Sequence, residues 1–206
     1  MKVVIITVPM KPDIGKVHYP VDGNKSIEYD KPVRCPINGV LAKSLQKDEE
    51  VKIIYIMTSG DNSECPKNKD EFINELSNIN QEIGAKFIYD TVDIAFLPTK
   101  QTYNKLITDL TEKIPENAEI FTDITYGFKP EILSLFCALR FVEEFRDAIV
   151  QFIVYGKAEF NKTTSVLENP MLYDITSLYY LFKLMGTMSA SNVETATETL
   201  KDFFTM

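Results

Sequence analysis

With 206 residues, 22 Lys+Arg against 30 Asp+Glu and 45% hydrophobic side chains, the chain has the make-up of one globular domain, able to bury roughly 70% of its unfolded surface in a single core. A net charge of −8 argues against general binding to duplex nucleic acid, which rests on phosphate neutralisation. Three widely spaced cysteines, Cys35, Cys65 and Cys137, and a single histidine, His18, argue against a zinc site or a disulfide framework. No metal and no cofactor is therefore expected, and the expected compartment is reducing, hence cytoplasmic. No signal peptide is expected, because the opening apolar run is stopped by Pro9. No membrane segment is expected either, since nothing approaches the ~20 apolar residues a spanning helix needs.

In chain order, Val3–Val8 (VVIITV) predicts a first strand, its near-continuous apolar character suiting burial on both faces. Residues 9–36 hold five prolines, two glycines and only isolated apolar residues, which predicts a long loop or irregular hairpin. A helix over Asn38–Lys47, a strand over Val51–Met57 and a helix over Lys69–Ile83 follow, the last with Phe72, Ile73, Leu76, Ile79 and Ile83 at helical steps. Then come a strand at Lys86–Val92, a helix at Tyr103–Ile114, a strand at Glu119–Ile124, a helix at Pro130–Ala148 with Pro130 in its first turn, and a strand at Ile149–Tyr155. Beyond these lie a turn (Lys157–Pro170), a short strand (Met171–Asp174), an apolar helix (Ser177–Met188) and an amphipathic helix (Ser191–Phe204). Regular alternation predicts an α/β, Rossmann-like, mainly parallel sheet with helices on both faces, followed by a C-terminal short strand or hairpin and two helices. It forms a single domain over 1–206, with a core over 1–158 and a C-terminal extension over 159–206.

In such sheets ligands bind outside the carboxyl ends of the strands. The first strand ends in Thr7-Val8-Pro9-Met10-Lys11, with neither G-x-G-x-x-G nor a P-loop. The second ends in Thr58-Ser59-Gly60-Asp61-Asn62-Ser63, hydroxyls around a glycine whose backbone N–H groups could face a ligand oxygen; a plain polar turn explains them as well. The fourth ends in Asp123-Ile124-Thr125-Tyr126-Gly127-Phe128-Lys129-Pro130. There a glycine, a helix N-terminus and Lys129 could receive a phosphate while Tyr126 stacks on a base. Equally, Gly127 could serve a tight turn, Asp123 or Thr125 could satisfy backbone groups, and Tyr126 could pack.

The run DITYGFKPEILSLFCALRF (Asp123–Phe141) resembles the D-I-T-H-G-F-R signature of CARF proteins, the CRISPR-associated Rossmann-fold sensors of type III CRISPR systems. IVYGKAE (Ile153–Glu159) is similar to the following strand ending in Y-G, and LYDIT (Leu172–Thr176) resembles the segment before that family's apolar closing helix. VHYPVDGNKSIEYDKPV (Val17–Val33) resembles its Tyr-bearing region after the first strand. The resemblance departs at Tyr126, where His is usual, and at Lys129, where Arg is usual. Lys keeps the charge but not the planar fork of Arg, and Tyr cannot act as a neutral-pH acid or base.

The resemblance implies a homodimer that binds a cyclic oligoadenylate across its two-fold axis. It carries over Thr7, Val8, Pro9, Met10 and Lys11 after the first strand, and Thr125, Tyr126, Gly127, Phe128 and Lys129 after the fourth. Thr58, Ser59 and Gly60, at the neighbouring tip, are added from the residues themselves. Lys11, Lys129 and Lys16 are the local cations for an anionic ring.

Three readings stand open. One is a metal-independent ring nuclease, in which the ligand's own 2′-OH attacks the adjacent phosphodiester. Lys11 or Lys129 would then stabilise charge, and Thr7, Thr125 or Ser59 would position the phosphate. The second is a non-catalytic sensor, fused to or partnered with an effector. The HEPN ribonuclease pair R-x-x-x-x-H is missing, since the only His is His18. The third is an unrelated Rossmann-like nucleotide-binding protein. Of the other residues, His18 is expected to be a loop residue, and Tyr173, Tyr179, Tyr180 and Phe182 are expected in core or dimer packing.

Overall fold

The computed structural model describes residues 1–12, 14–61, 63–161, 163 and 166–203. Asp13 in the long loop and Phe204 at the end of the last expected helix lie outside the described residues. Seven strands form one sheet in the order β2-β7-β6-β5-β1-β3-β4. The strands are β1 (Lys2–Thr7), β2 (Val21–Asp22), β3 (Glu50–Ser59), β4 (Lys86–Ala95), β5 (Glu119–Asp123), β6 (Ile149–Asn161) and β7 (Val166–Asp174). Between and after them run α1 (Pro36–Ser44), α2 (Cys65–Asn80), α3 (Lys100–Lys113), α4 (Lys129–Phe145), α5 (Thr176–Thr187) and α6 (Val193–Phe203). Every pairing from β4 through β3, β1 and β5 to β6 is parallel; β7 runs antiparallel to β6. The architecture is therefore the expected α/β, Rossmann-like one.

All six residues of β1 are buried. Val4 and Ile6 enter a core with Ile37, Val40 and Leu41 of α1 and Phe72 and Leu76 of α2. Val3 and Ile5 enter a second core with Leu106 and Leu110 of α3, Leu135, Leu139 and Val142 of α4, and Tyr179 of α5. A strand covered on both faces has no polar side to show, so its run is continuous rather than alternating. Entry into four strands uses one device. Asp48, Gly84, Asn117 and Asp147 hold positive φ two residues before β3, β4, β5 and β6. Asp, Asn and Gly are the residue types that adopt this conformation at low cost.

The helices begin earlier than their apolar stripes: α1 at Pro36 rather than Asn38, α2 at Cys65 rather than Lys69, and α3 at Lys100 rather than Tyr103. Proline occupies one of the first two positions of α1, α2 and α4, where a missing N–H costs nothing. The C-terminal hairpin is present and longer than expected: β6 continues to Asn161 and β7 begins at Val166, so the expected turn Lys157–Pro170 is corrected to be mostly strand and position 158 falls inside β6. This outer half is held by polar pairs, Asn161 Nδ2 donating to Glu168 Oε1 at 2.7 Å and Lys157 bridging Glu159 at 3.0 Å, so no apolar alternation marks it. Pro170 sits beside a register shift, where a missing donor is tolerated. The segment after β1 is an irregular hairpin, closed by a Val17–Val33 bridge and carrying β2, which pairs with β7. Its isolated apolar residues Tyr19, Val21, Ile27 and Val33 are buried over α1 and β7.

Among the described residues, no helix is long and apolar enough to cross a membrane.

Candidate functional site

β1 pairs with β3 on one side and β5 on the other; the chain steps from β1 outward to β3 and β4, then returns through α3 to β5 and steps outward the other way to β6, so the β1–β5 junction is where the order of crossovers reverses. A crevice opens at that point, beyond the carboxyl ends of the strands. Thr7, the last residue of β1, is 1% exposed, and its hydroxyl donates to the Asp123 carbonyl at 3.1 Å. The turn that follows is pinned from α2. Asn68 Nδ2 donates to the carbonyls of Pro9 and Lys11 at 2.7 and 2.8 Å, the Glu64 N–H to that of Met10 at 3.1 Å, and Cys65 Sγ to that of Val8 at 3.3 Å. A proline-containing turn held by this many donors is preorganised. Lys11 projects from it, exposed and without an ion pair among the described residues. Lys16, also expected as a cation, is paired with buried Glu75 at 3.7 Å.

At the β3 tip Thr58 is buried, whereas Ser59 and Gly60 are exposed. The Ser59 hydroxyl donates to the Ile94 carbonyl of β4 at 3.0 Å, and that of Ser63 to the Thr58 carbonyl at 2.9 Å. Asn62 of this cluster lies outside the described residues.

At the β5 tip Asp123 is 1% exposed. Its Oδ2 accepts the Ile37 N–H at 3.0 Å, at the second residue of α1, and its Oδ1 accepts the Thr125 N–H at 2.8 Å. It thereby caps α1 from across the sheet. Burial pushes its carboxyl above the usual range, opposed by these bonds. The Thr125 hydroxyl accepts the Gly156 N–H at 2.8 Å, joining β6 to the turn. The Tyr126 hydroxyl donates to the Arg34 carbonyl at 3.0 Å and its ring lies 6.1 Å from that of Phe72, so the phenol is committed to the core under the long loop. A Cβ on Gly127 would meet Ile132 Cδ1 at 2.5 Å and Thr7 Cγ2 at 3.1 Å, so the backbone here lies close against side chains of α4 and β1. Lys129 is the first residue of α4 and is exposed, also without an ion pair among the described residues.

These three tips enclose a cavity of about 330 Å³ lined by Val8, Pro9, Met10, Lys11, Ile14, Thr58, Tyr126, Phe128 and Glu131. The fold thus gathers onto one surface residues from three separate strand ends. Thr7, Thr125 and Gly127 stand behind it as supports, while Ser59, Gly60 and Lys129 lie outside its lining.

Two lining residues escaped sequence reasoning, Ile14 and Glu131. Glu131 is 2% exposed; its Oε2 accepts the Phe128 N–H at 3.4 Å, and the Thr58 side chain hydrogen-bonds it. Burial pushes this carboxyl up to about 7. The signal available was an acid three residues after the residue that caps a helix start, which reads as a capping residue and nothing more. Asn68 carried no signal at all, being one polar residue in the first turns of α2.

The aromatic group near the C-terminus lies away from the cavity. Tyr179 is buried edge-on to Phe136 with its hydroxyl donating to Glu143 at 2.6 Å, and Tyr180 donates to the Val150 carbonyl at 2.8 Å. Both pack on α4 and β6, while Phe182 is exposed.

In comparisons with known proteins, no protein-family model matches the chain and no curated protein matches it.

Proposed function

We propose that the chain binds a cyclic oligoadenylate at the strand-end cavity, as one half of a two-fold homodimer, in the manner of the sensors of type III CRISPR systems. The observation that carries this reading is the convergence of Val8 to Lys11, Thr58, Tyr126 and Phe128 on one cavity at the sheet's switch point. Two exposed lysines at the same strand ends, Lys11 and Lys129, fit a compact anionic ligand on a chain of net charge −8. The homodimer draws support from an apolar surface: Leu133, Phe141 and Phe145 along α4, with Leu178, Phe182 and Met185 along α5, are all at least 44% exposed.

Cleavage is the added step of the ring-nuclease reading. Lys11 and Lys129 offer ammonium groups for the developing phosphorane charge, whereas the Thr7 hydroxyl proton is spent on Asp123. The test is incubation of the purified protein with cyclic tri-, tetra- and hexa-adenylate in EDTA, with binding read by thermal shift and products by chromatography. Binding with linear products makes the protein a ring nuclease, and binding without them a sensor. No shift with any ring refutes the oligoadenylate assignment and returns the protein to a Rossmann-like protein of another ligand.

A further inference from the structure

A second cavity abuts the first. It holds about 190 Å³ between the end of β4 and the starts of α3 and α4, walled by Ile94, Phe96, Leu97, Tyr103, Phe128 and Pro130, with Glu131 as its one acid. Phe128 and Glu131 line both cavities. The division between them is thin. A Cβ on Gly60 would stand 3.1 Å from Met10, which lines the first cavity, and 3.3 Å from Phe96, which lines the second. At this volume the space falls below the range that accepts a whole drug-sized ligand and suits one ring system. The Phe96 and Phe128 rings, 4.6 Å apart, give it aromatic walls against which a flat π-face gains contact.

Glu131 supplies the polar recognition. Its carboxyl accepts one long bond from the Phe128 N–H and one contact from Thr58, which leaves lone pairs unused among the roughly four a carboxyl offers. Burial keeps it protonated toward neutral pH, adding one O–H donor beside the acceptor. A donor beside an acceptor is complementary to a ring edge bearing an amino group next to a ring nitrogen.

We propose that the second cavity is a subsite for an aminopurine ring, held against Phe96 and Phe128 and read by the Glu131 carboxyl. This rests on the nucleotide reading above, with sugar and phosphate in the strand-end cavity and one base in its neighbour.

The experiment titrates the full chain by calorimetry with adenosine 5′-monophosphate, with the purine riboside monophosphate that lacks the amino group, and with cyclic tetra-adenylate. It is repeated on Glu131→Gln, Glu131→Met and Leu97→Trp; the last fills the pocket from an exposed position and decides the matter if Glu131→Met does not fold. The expected result is roughly tenfold or greater preference for the amino compound. That preference is retained in Glu131→Gln and lost in Glu131→Met and Leu97→Trp. Equal affinity for the two monophosphates overturns the subsite. Cyclic tetra-adenylate binding that ignores Glu131→Met and Leu97→Trp overturns it too, while leaving the ligand reading in place. Monophosphate binding with the expected dependence, but no cyclic tetra-adenylate binding, upholds the subsite and overturns the four-membered ring as its ligand. Binding of none of the three overturns the subsite and, with no shift from cyclic tri- or hexa-adenylate either, the ligand reading as well.

Discussion

Replacing Lys129 by alanine separates ligand binding from folding, because the two effects have opposite signs. Lys129 is the first residue of α4, exposed, and unpaired among the described residues. A cation there opposes the helix macrodipole, an unfavourable contact of about 0.3–1 kcal/mol. Removing it should stabilise the free protein by that amount, and for a domain of this size about 1 kcal/mol moves the midpoint by about 2–4 °C. The apo melting temperature of Lys129→Ala is therefore expected to rise by about 1–3 °C. Affinity should move the other way. A hydrogen bond between an ammonium and a phosphate contributes about 1.5–3 kcal/mol, so the dissociation constant for cyclic tetra-adenylate should increase by roughly 10- to 150-fold. Apo thermal scans and calorimetric titration at low and high salt read both numbers, and the difference between variant and parent should shrink at high salt. A lower melting temperature with unchanged affinity refutes the reasoning and makes Lys129 a structural residue.

Three further outcomes follow from buried polar groups. Asp123→Ala leaves the Ile37 and Thr125 N–H groups without acceptors at a buried site, and should lower stability by about 2–5 kcal/mol in urea unfolding; a cost under ~1 kcal/mol would show that the cap is dispensable. The Tyr55 hydroxyl is fully buried with no hydrogen-bond partner among the described residues, so Tyr55→Phe should stabilise by about 1 kcal/mol, and a destabilised variant would contradict that geometry. Glu131 binds its proton up to about pH 7 when folded but only to about 4.5 when unfolded, so the native state holds more protons between these values and its stability falls as pH rises through them. Glu131→Gln cannot ionise there, and its stability relative to the parent should grow by on the order of 3 kcal/mol from pH 5 to pH 8. A pH-independent difference in paired denaturant titrations would refute the burial of that carboxyl.

The strands and helices were legible because burial imposes periodicity. β1 reads as an unbroken apolar run since two cores claim its two faces, and α2 reads as a helix since Phe72 and Leu76 must share one side. Strand-end residues were legible by position alone, because parallel sheets bind ligands at their carboxyl edge. The length of the outer hairpin was not, since hydrogen-bonded polar pairs such as Asn161–Glu168 leave no hydrophobic pattern.

The sequence by itself determined the α/β class, the order of its elements and the strand ends at which to look, since each depends on local pattern. Only the tertiary structure decided which of those residues share a cavity and which are spent holding it. Thr7 donates to a carbonyl 116 residues away, Asp123 caps a helix 86 residues before it, and Glu131 acquires its shifted carboxyl from neighbours on other elements. Those partners are brought together by sheet pairing over long sequence separations, and no local spacing records them.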